Sequence, residues 1–131
     1  MIDEPSWIDR DDVLQLHSGQ IAKYGGAPGI RDLGALDSAL ARPRHLIAYD
    51  SPDIFELAAS YAFGLARNHC FTDGNKRVAL EVAVVFLLDN GYLMARRIDE
   101  AVDVMLRVAS GDMKESDLAA WFRDRSKIID L

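Results

Sequence analysis

Three observations predict an all-α domain of about six helices. Apolar residues recur at helical spacing almost throughout the chain. Two segments, Ile54 to His69 and Val78 to Gly91, are apolar around most of the helix circumference, as buried central helices are. Gly, Pro, Asp or Ser also stands at most places where one periodic stretch must stop and another begin.

Taken in order, Asp9 can cap a first helix carrying Val13, Leu14, Leu16, Ile21 and Tyr24, which Gly25-Gly26 would end. The connector GGAPGIRD follows. Leu33, Leu36 and Leu40 mark one face of a short second helix, expected to stop before Pro43 because proline restricts the residue ahead of it. RHLIAYD, residues 44–50, breaks the helical rhythm and predicts an extended loop or small hairpin. Pro52 and Asp53 open the first apolar helix, and Gly91 stops the second. Tyr92 to Ala95 reads as a brief strand or a plain connector. Val102, Met105, Leu106 and Ala109 then follow the i, i+3, i+4, i+7 rule. Ser116 can cap a last helix bearing Leu118, Trp121 and Phe122. No repeat or linker divides residues 1–131, so one domain is expected.

Fifteen Lys and Arg against 21 Asp and Glu leave a net charge of −6, which disfavours non-specific nucleic-acid binding. One cysteine, Cys70, precludes an intrachain disulfide and fits a reducing compartment. The opening MIDEPSWIDR is acidic where a signal peptide needs positive charge. The longest apolar run, Val82 to Leu88, is too short to span a bilayer. A soluble cytoplasmic protein with no membrane or direct nucleic-acid partner is the expectation.

HCFTDGNKR, residues 69–77, joins the two apolar helices. As a simple corner, its Asp-Gly and Gly-Asn pairs suit a turn. That reading leaves Lys76 and Arg77 unexplained, because cations in a first helical turn oppose the macrodipole. A bound anion would account for them. A glycine-containing turn feeding a helix N-terminus is a common phosphate cradle, with Lys as a point charge and Arg as a planar fork. Asp73 beside a phosphate then calls for an intervening cation such as Mg²⁺. His69 is suited to take a proton from a hydroxyl, although a histidine closing a helix C-terminus is a plainer explanation of it. Base, metal carboxylate and phosphate cations together are the equipment of phosphoryl or nucleotidyl transfer.

H-x-F-x-D-G-N-K-R resembles the signature of the Fic/Doc superfamily, and its Lys-Arg ending resembles the Doc (death-on-curing) branch. Ile21 to Pro43 also resembles the N-terminal region of that family, so the likeness covers most of the chain. It implies a single Fic/Doc-type helical domain with a short extended flap. It further implies a toxin of a toxin–antitoxin pair, a kinase that uses ATP and Mg²⁺ to phosphorylate a threonine of elongation factor Tu and arrests translation. The implied partner is a prevent-host-death-type antitoxin whose disordered segment folds onto the toxin.

By position, the resemblance makes His69 the base and Asp73 the Mg²⁺ ligand, with Gly74, Asn75, Lys76 and Arg77 as the anion-binding turn. Phe71 would pack the loop and Arg67 would add to the phosphate site. Arg44, His45, Leu46, Ile47, Ala48 and Tyr49 would form the flap that docks the target. Fic proteins that transfer AMP carry a glycine where Lys76 stands, a second arginine where Leu80 stands and a proline where Cys70 stands. These departures favour a kinase over the alternatives, a Fic-like AMP transferase or a non-catalytic Fic-like binding module. An RNA-cleaving toxin is disfavoured by the acidic charge balance and the lack of a nuclease constellation.

The remaining candidates have plain readings. Cys70 is expected to be a small half-buried residue, His17 a helix-face residue and His45 a loop residue. Glu81, four residues after Arg77, would either pair with it or face solvent. Asp99, Glu100 and Asp103 suit a first helical turn. Trp121 and Phe122 are expected in the core, or else in an apolar patch that receives an antitoxin segment.

Overall fold

The computed structural model describes residues 4–129, so the ends of the expected 1–131 domain lie outside the described residues. It contains six helices: α1 Arg10–Tyr24, α2 Leu33–Tyr49, α3 Ile54–Arg67, α4 Asn75–Asp89, α5 Ile98–Ser110 and α6 Glu115–Arg125. Strands β1 Tyr92–Met94 and β2 Ser126–Ile128 form an antiparallel pair, with Leu93 opposite Lys127. Among the described residues, no helix is long and apolar enough to cross a membrane.

The punctuation residues act largely as their chemistry predicts. Asp9 and Asp53 each form a capping box, with Asp12 and Glu56 respectively, satisfying N–H groups that a helix start leaves open. Gly25, at φ +83, ends α1. Gly91, at φ +94, directly follows the α4 cap residue Asn90. The last helix starts slightly earlier than expected, with Lys114 at the cap position instead of Ser116.

Helices α3 and α4 form the centre, and Leu57, Tyr61, Leu65, Val78, Val82 and Phe86 are fully buried there. At Gly64, α3 packs tightly against α2. A Cβ at this position would lie 2.8 Å from Arg42 Cδ and 3.3 Å from Ala39 Cα. The backbone of α2 cannot withdraw as an arginine stem can. Gly64→Val should therefore cost about 2–3 kcal/mol through overpacking, lowering the melting temperature by roughly 10 °C at this chain length. A scan showing an unchanged melting temperature would contradict this tight approach.

One segment departs from expectation. The second helix does not stop at Pro43 but runs to Tyr49, so Arg44, His45, Leu46, Ile47, Ala48 and Tyr49 are helical and not an extended flap. Pro43 is buried in the middle of α2. Losing one helical hydrogen bond there is offset by packing: Leu40, Leu46 and Ile47 lie against the core, and the Arg44 guanidinium sits 4.8 Å from the Trp7 ring centroid. Position also separates this segment from the 69–77 loop. The Asp32 N–H at the start of α2 donates to Cys70 O, whereas Arg44 and Tyr49 lie about 18 and 26 Å further along the helix at 1.5 Å per residue. The short extended elements are β1, β2 and a stretch of the 25–32 connector.

Candidate active site

The loop from Asn68 to Gly74 turns the chain from α3 into α4, and its own side chains close it. The Phe71 N–H donates to Asn75 Oδ1 at 2.9 Å, and Asn75 Nδ2 donates back to Phe71 O at 3.0 Å. The Asn75 side chain therefore holds the loop, and its backbone N–H is among those at the uncapped start of α4. Phe71 is 1% exposed and anchors the turn in the core, as its aromatic character predicts. Cys70 is fully buried, more so than expected. Burial pushes its thiol up to about 11, so it is protonated and unreactive near neutrality.

The connector forms the second wall. Ile30 and Phe71 make an isolated antiparallel bridge, the Thr72 N–H donates to Gly29 O at 3.1 Å, and the N–H groups of Arg31 and Asp32 donate to Cys70 O. Connector and loop thus share a short extended pairing directly beside His69.

His69 is exposed, with φ +52, making it the one positive-φ residue other than glycine among the described residues. A residue with a Cβ pays about 1–2 kcal/mol for that conformation, and such strain recurs at functional sites. Arg31 Nη1 lies 3.4 Å from His69 O, linking the connector to this turn. Asp73 Oδ1 accepts from the Gly74 N–H at 3.1 Å, and Oδ2 accepts from the Ala27 N–H at 3.2 Å. The carboxylate is thereby fixed in direction while remaining exposed.

Gly74 is the α4 cap residue at φ +76, and no side chain caps the helix. The first N–H groups of α4 therefore keep their affinity for an anion. This uncapped end suits the phosphates of a nucleotide, and the neighbouring Asp73 suits a hard cation. Among the described residues, no group of three or more His, Cys, Asp and Glu gathers into a metal site. A Mg²⁺ held here would rest on one carboxylate plus oxygens from outside the protein, a normal arrangement for that ion.

Lys76 is exposed in the first turn of α4. Arg77 Nη2 donates to Gly25 O at 3.1 Å, and its guanidinium lies 5.8 Å from the Tyr24 ring centroid, tying α4 to the end of α1. Glu81 pairs with Arg96 at 3.2 Å, not with Arg77. The Arg67 guanidinium sits 5.1 Å from the Phe63 ring centroid and close to Gly111, on the α5–α6 turn. Leu80 lines a groove of about 610 Å³ between α1, α4 and α5, together with Lys76, Arg77, Met105 and the exposed Val102 and Leu106.

His17 is the site residue the sequence concealed. It is 4% exposed, its ring stacks on Phe71 with centroids 3.8 Å apart and planes 10° apart, and its Nε2 lies 2.8 Å from Asp73 O. Its place on the inner face of α1, in register with Val13 at i−4, was the available signal.

The sequence model of the Fic/DOC family matches residues 7–87, which cover α1 to α3, the whole of this loop and all but the last two residues of α4. The chain belongs to the Fic/DOC family. Two relatives of this Fic/DOC chain extend the likeness over nearly its full length. "Protein kinase doc" of Escherichia phage P1 is 35% identical over 117 residues, 88% of this chain and 92% of that protein. "Toxin Doc" of Mycolicibacterium smegmatis is 42% identical over 120 residues, 87% of this chain and 88% of that protein.

Gly26 gives this Fic/DOC site a sharp test. At φ +117, a Cβ here would stand 2.9 Å from Asp73 Oδ2, so Gly26→Ala must displace the carboxylate or the connector. If the site is catalytic, a displacement of that kind should slow turnover by up to about 10²-fold. Gly19→Ala is the control, since a Cβ there meets nothing within 4 Å. Equal activity of the two variants in a turnover assay would show that the Asp73 position is unimportant.

Proposed function

We propose that the chain is the toxin of a toxin–antitoxin pair, acting as one domain to transfer the γ-phosphate of ATP to a threonine of elongation factor Tu and so arrest translation. The observation that carries this reading is the uncapped start of α4, which presents free N–H groups on the same turn as Asp73 and just beyond the strained, exposed His69.

ATP, bound with Mg²⁺, supplies the phosphoryl group. The α4 N–H groups, Lys76 and Arg77 bind its phosphates, and the Asp73 carboxylate is the ligand offered to Mg²⁺. The His69 imidazole takes the proton of the threonine hydroxyl. The connector beside His69, with Ile30 40% exposed, replaces residues 44–49 as the wall against which the target docks.

Leu80 supports phosphate transfer over AMP transfer. It makes an apolar wall where AMP-transferring Fic proteins place a second arginine, so the clamp for a differently seated nucleotide is missing. The groove it lines has cations at its edge and apolar side chains along its floor. A segment of the antitoxin folded there would cover Lys76 and Arg77 together.

The test is mass spectrometry of elongation factor Tu after incubation with this protein, ATP and Mg²⁺. A single phosphate on a threonine is the expected product. An AMP adduct would replace the kinase with an AMP transferase. An unmodified factor would remove it as the target.

A further inference from the structure

We infer that His17 is a positioning residue for the site, aiming the Asp73 carboxylate from beneath the loop. This rests on the reading of Asp73 as the Mg²⁺ ligand.

A carbonyl oxygen can only accept, so the 2.8 Å contact with Asp73 O requires His17 Nε2 to carry the hydrogen. In a trans peptide, C=O and N–H point in opposite directions. Holding Asp73 O toward α1 therefore turns the Gly74 N–H the other way, where it donates to Asp73 Oδ1 at 3.1 Å. One buried donor thus sets the plane of a peptide whose other side orients the carboxylate. The Ala27 N–H fixes Oδ2 independently.

The face of the same ring lies on Phe71, the residue clamped by Asn75. Both ends of the turn, Phe71 and Asp73, are referred to one rigid side chain on α1. Gly74 is favoured here by its φ of +76; a Cβ there would press on Ile21 Cδ1 at 3.3 Å, while His17 Nε2 at 3.6 Å would stay in ordinary contact.

Three substitutions separate donor from stack. His17→Phe keeps the stack and loses the donor. His17→Gln keeps a donor at similar reach and loses the ring. His17→Met, close to Gln in size, loses both. Each is followed by thermal melting, by the Gly74 amide signal and its hydrogen exchange in ¹⁵N-labelled protein, and by calorimetric titration of AMP-PNP at increasing Mg²⁺.

In folded His17→Phe and His17→Met, the Gly74 amide should shift and exchange faster, and the Mg²⁺ midpoint should rise about ten- to hundredfold, as when a group that orients a metal ligand is lost. His17→Gln should stay close to the natural protein on both measures. If Phe fails to fold, the Gln and Met pair decides. Equal Gly74 signals and midpoints in Gln and Met would overturn the inference and leave His17 as a packing residue. If the natural protein itself binds AMP-PNP without regard to Mg²⁺, the functional reading falls, and the Gly74 amide alone decides whether His17 sets the turn.

Discussion

His69→Gly is expected to fold at least as stably as the natural protein while transferring phosphate about 10²–10⁴-fold more slowly, the usual worth of a general base. The stability half follows from two opposed terms. Relieving φ +52 returns about 1–2 kcal/mol, and the added freedom of glycine in the unfolded chain costs about 0.5–1 kcal/mol. Because the side chain is exposed, little packing is lost with it. The difference lies between neutral and about 1.5 kcal/mol stabilising. Denaturant melts and single-turnover rates on the same preparation check both halves. A fully active glycine variant would end the general-base assignment, and a badly destabilised one would mean that the histidine serves the fold.

Asp73→Asn should likewise lose activity without losing the fold. The asparagine oxygen can satisfy one of the two N–H groups that Asp73 now serves, from Gly74 and Ala27, but its amide nitrogen cannot accept the other. Both bonds are exposed, so water replaces the missing partner and the stability change should stay within about 1 kcal/mol. On the proposed role of Asp73 as the Mg²⁺ ligand, removing its charge should cost several kcal/mol of transition-state stabilisation, about 10²-fold or more in rate. Turnover measured across a Mg²⁺ series checks this. Natural rates at natural Mg²⁺ concentrations would show that the carboxylate does not hold the ion.

The helical architecture was legible because its signals are local. Asp9, Asp53, Gly25 and Gly91 do the same work in the structure that their chemistry suggests in the sequence. Pro43 misled for the converse reason. Its local cost is real, but the packing of Leu46, Ile47 and Arg44 against distant residues outweighs it, and no window of sequence contains those partners.

The loop could be singled out from residue types alone, since two cations at a helix start raise a question by themselves. How its residues are employed could not be. Asn75 resembles a ligand donor in sequence and turns out to be a brace. His17 resembles an ordinary helix residue, yet the 56 positions separating it from Asp73 close to a hydrogen bond. Glu81 finds Arg96 instead of its helical neighbour Arg77. The partners of His17 and Glu81 lie far along the chain, whereas that of Asn75 is only four residues away and is set by how the loop folds.

The brace between Phe71 and Asn75 also bears on how this protein can change over generations. Surface loops ordinarily accept extra residues at small entropic cost. Here the two bonded residues are four apart, and one begins a helix whose register is fixed by Val78, Val82 and Phe86 in the core. One inserted residue would separate Asn75 from Phe71 or rotate α4 by about 100°. An insertion between these two positions should therefore not be tolerated. The spacing of the motif is thus a length constraint imposed by the fold before any chemistry is asked of it.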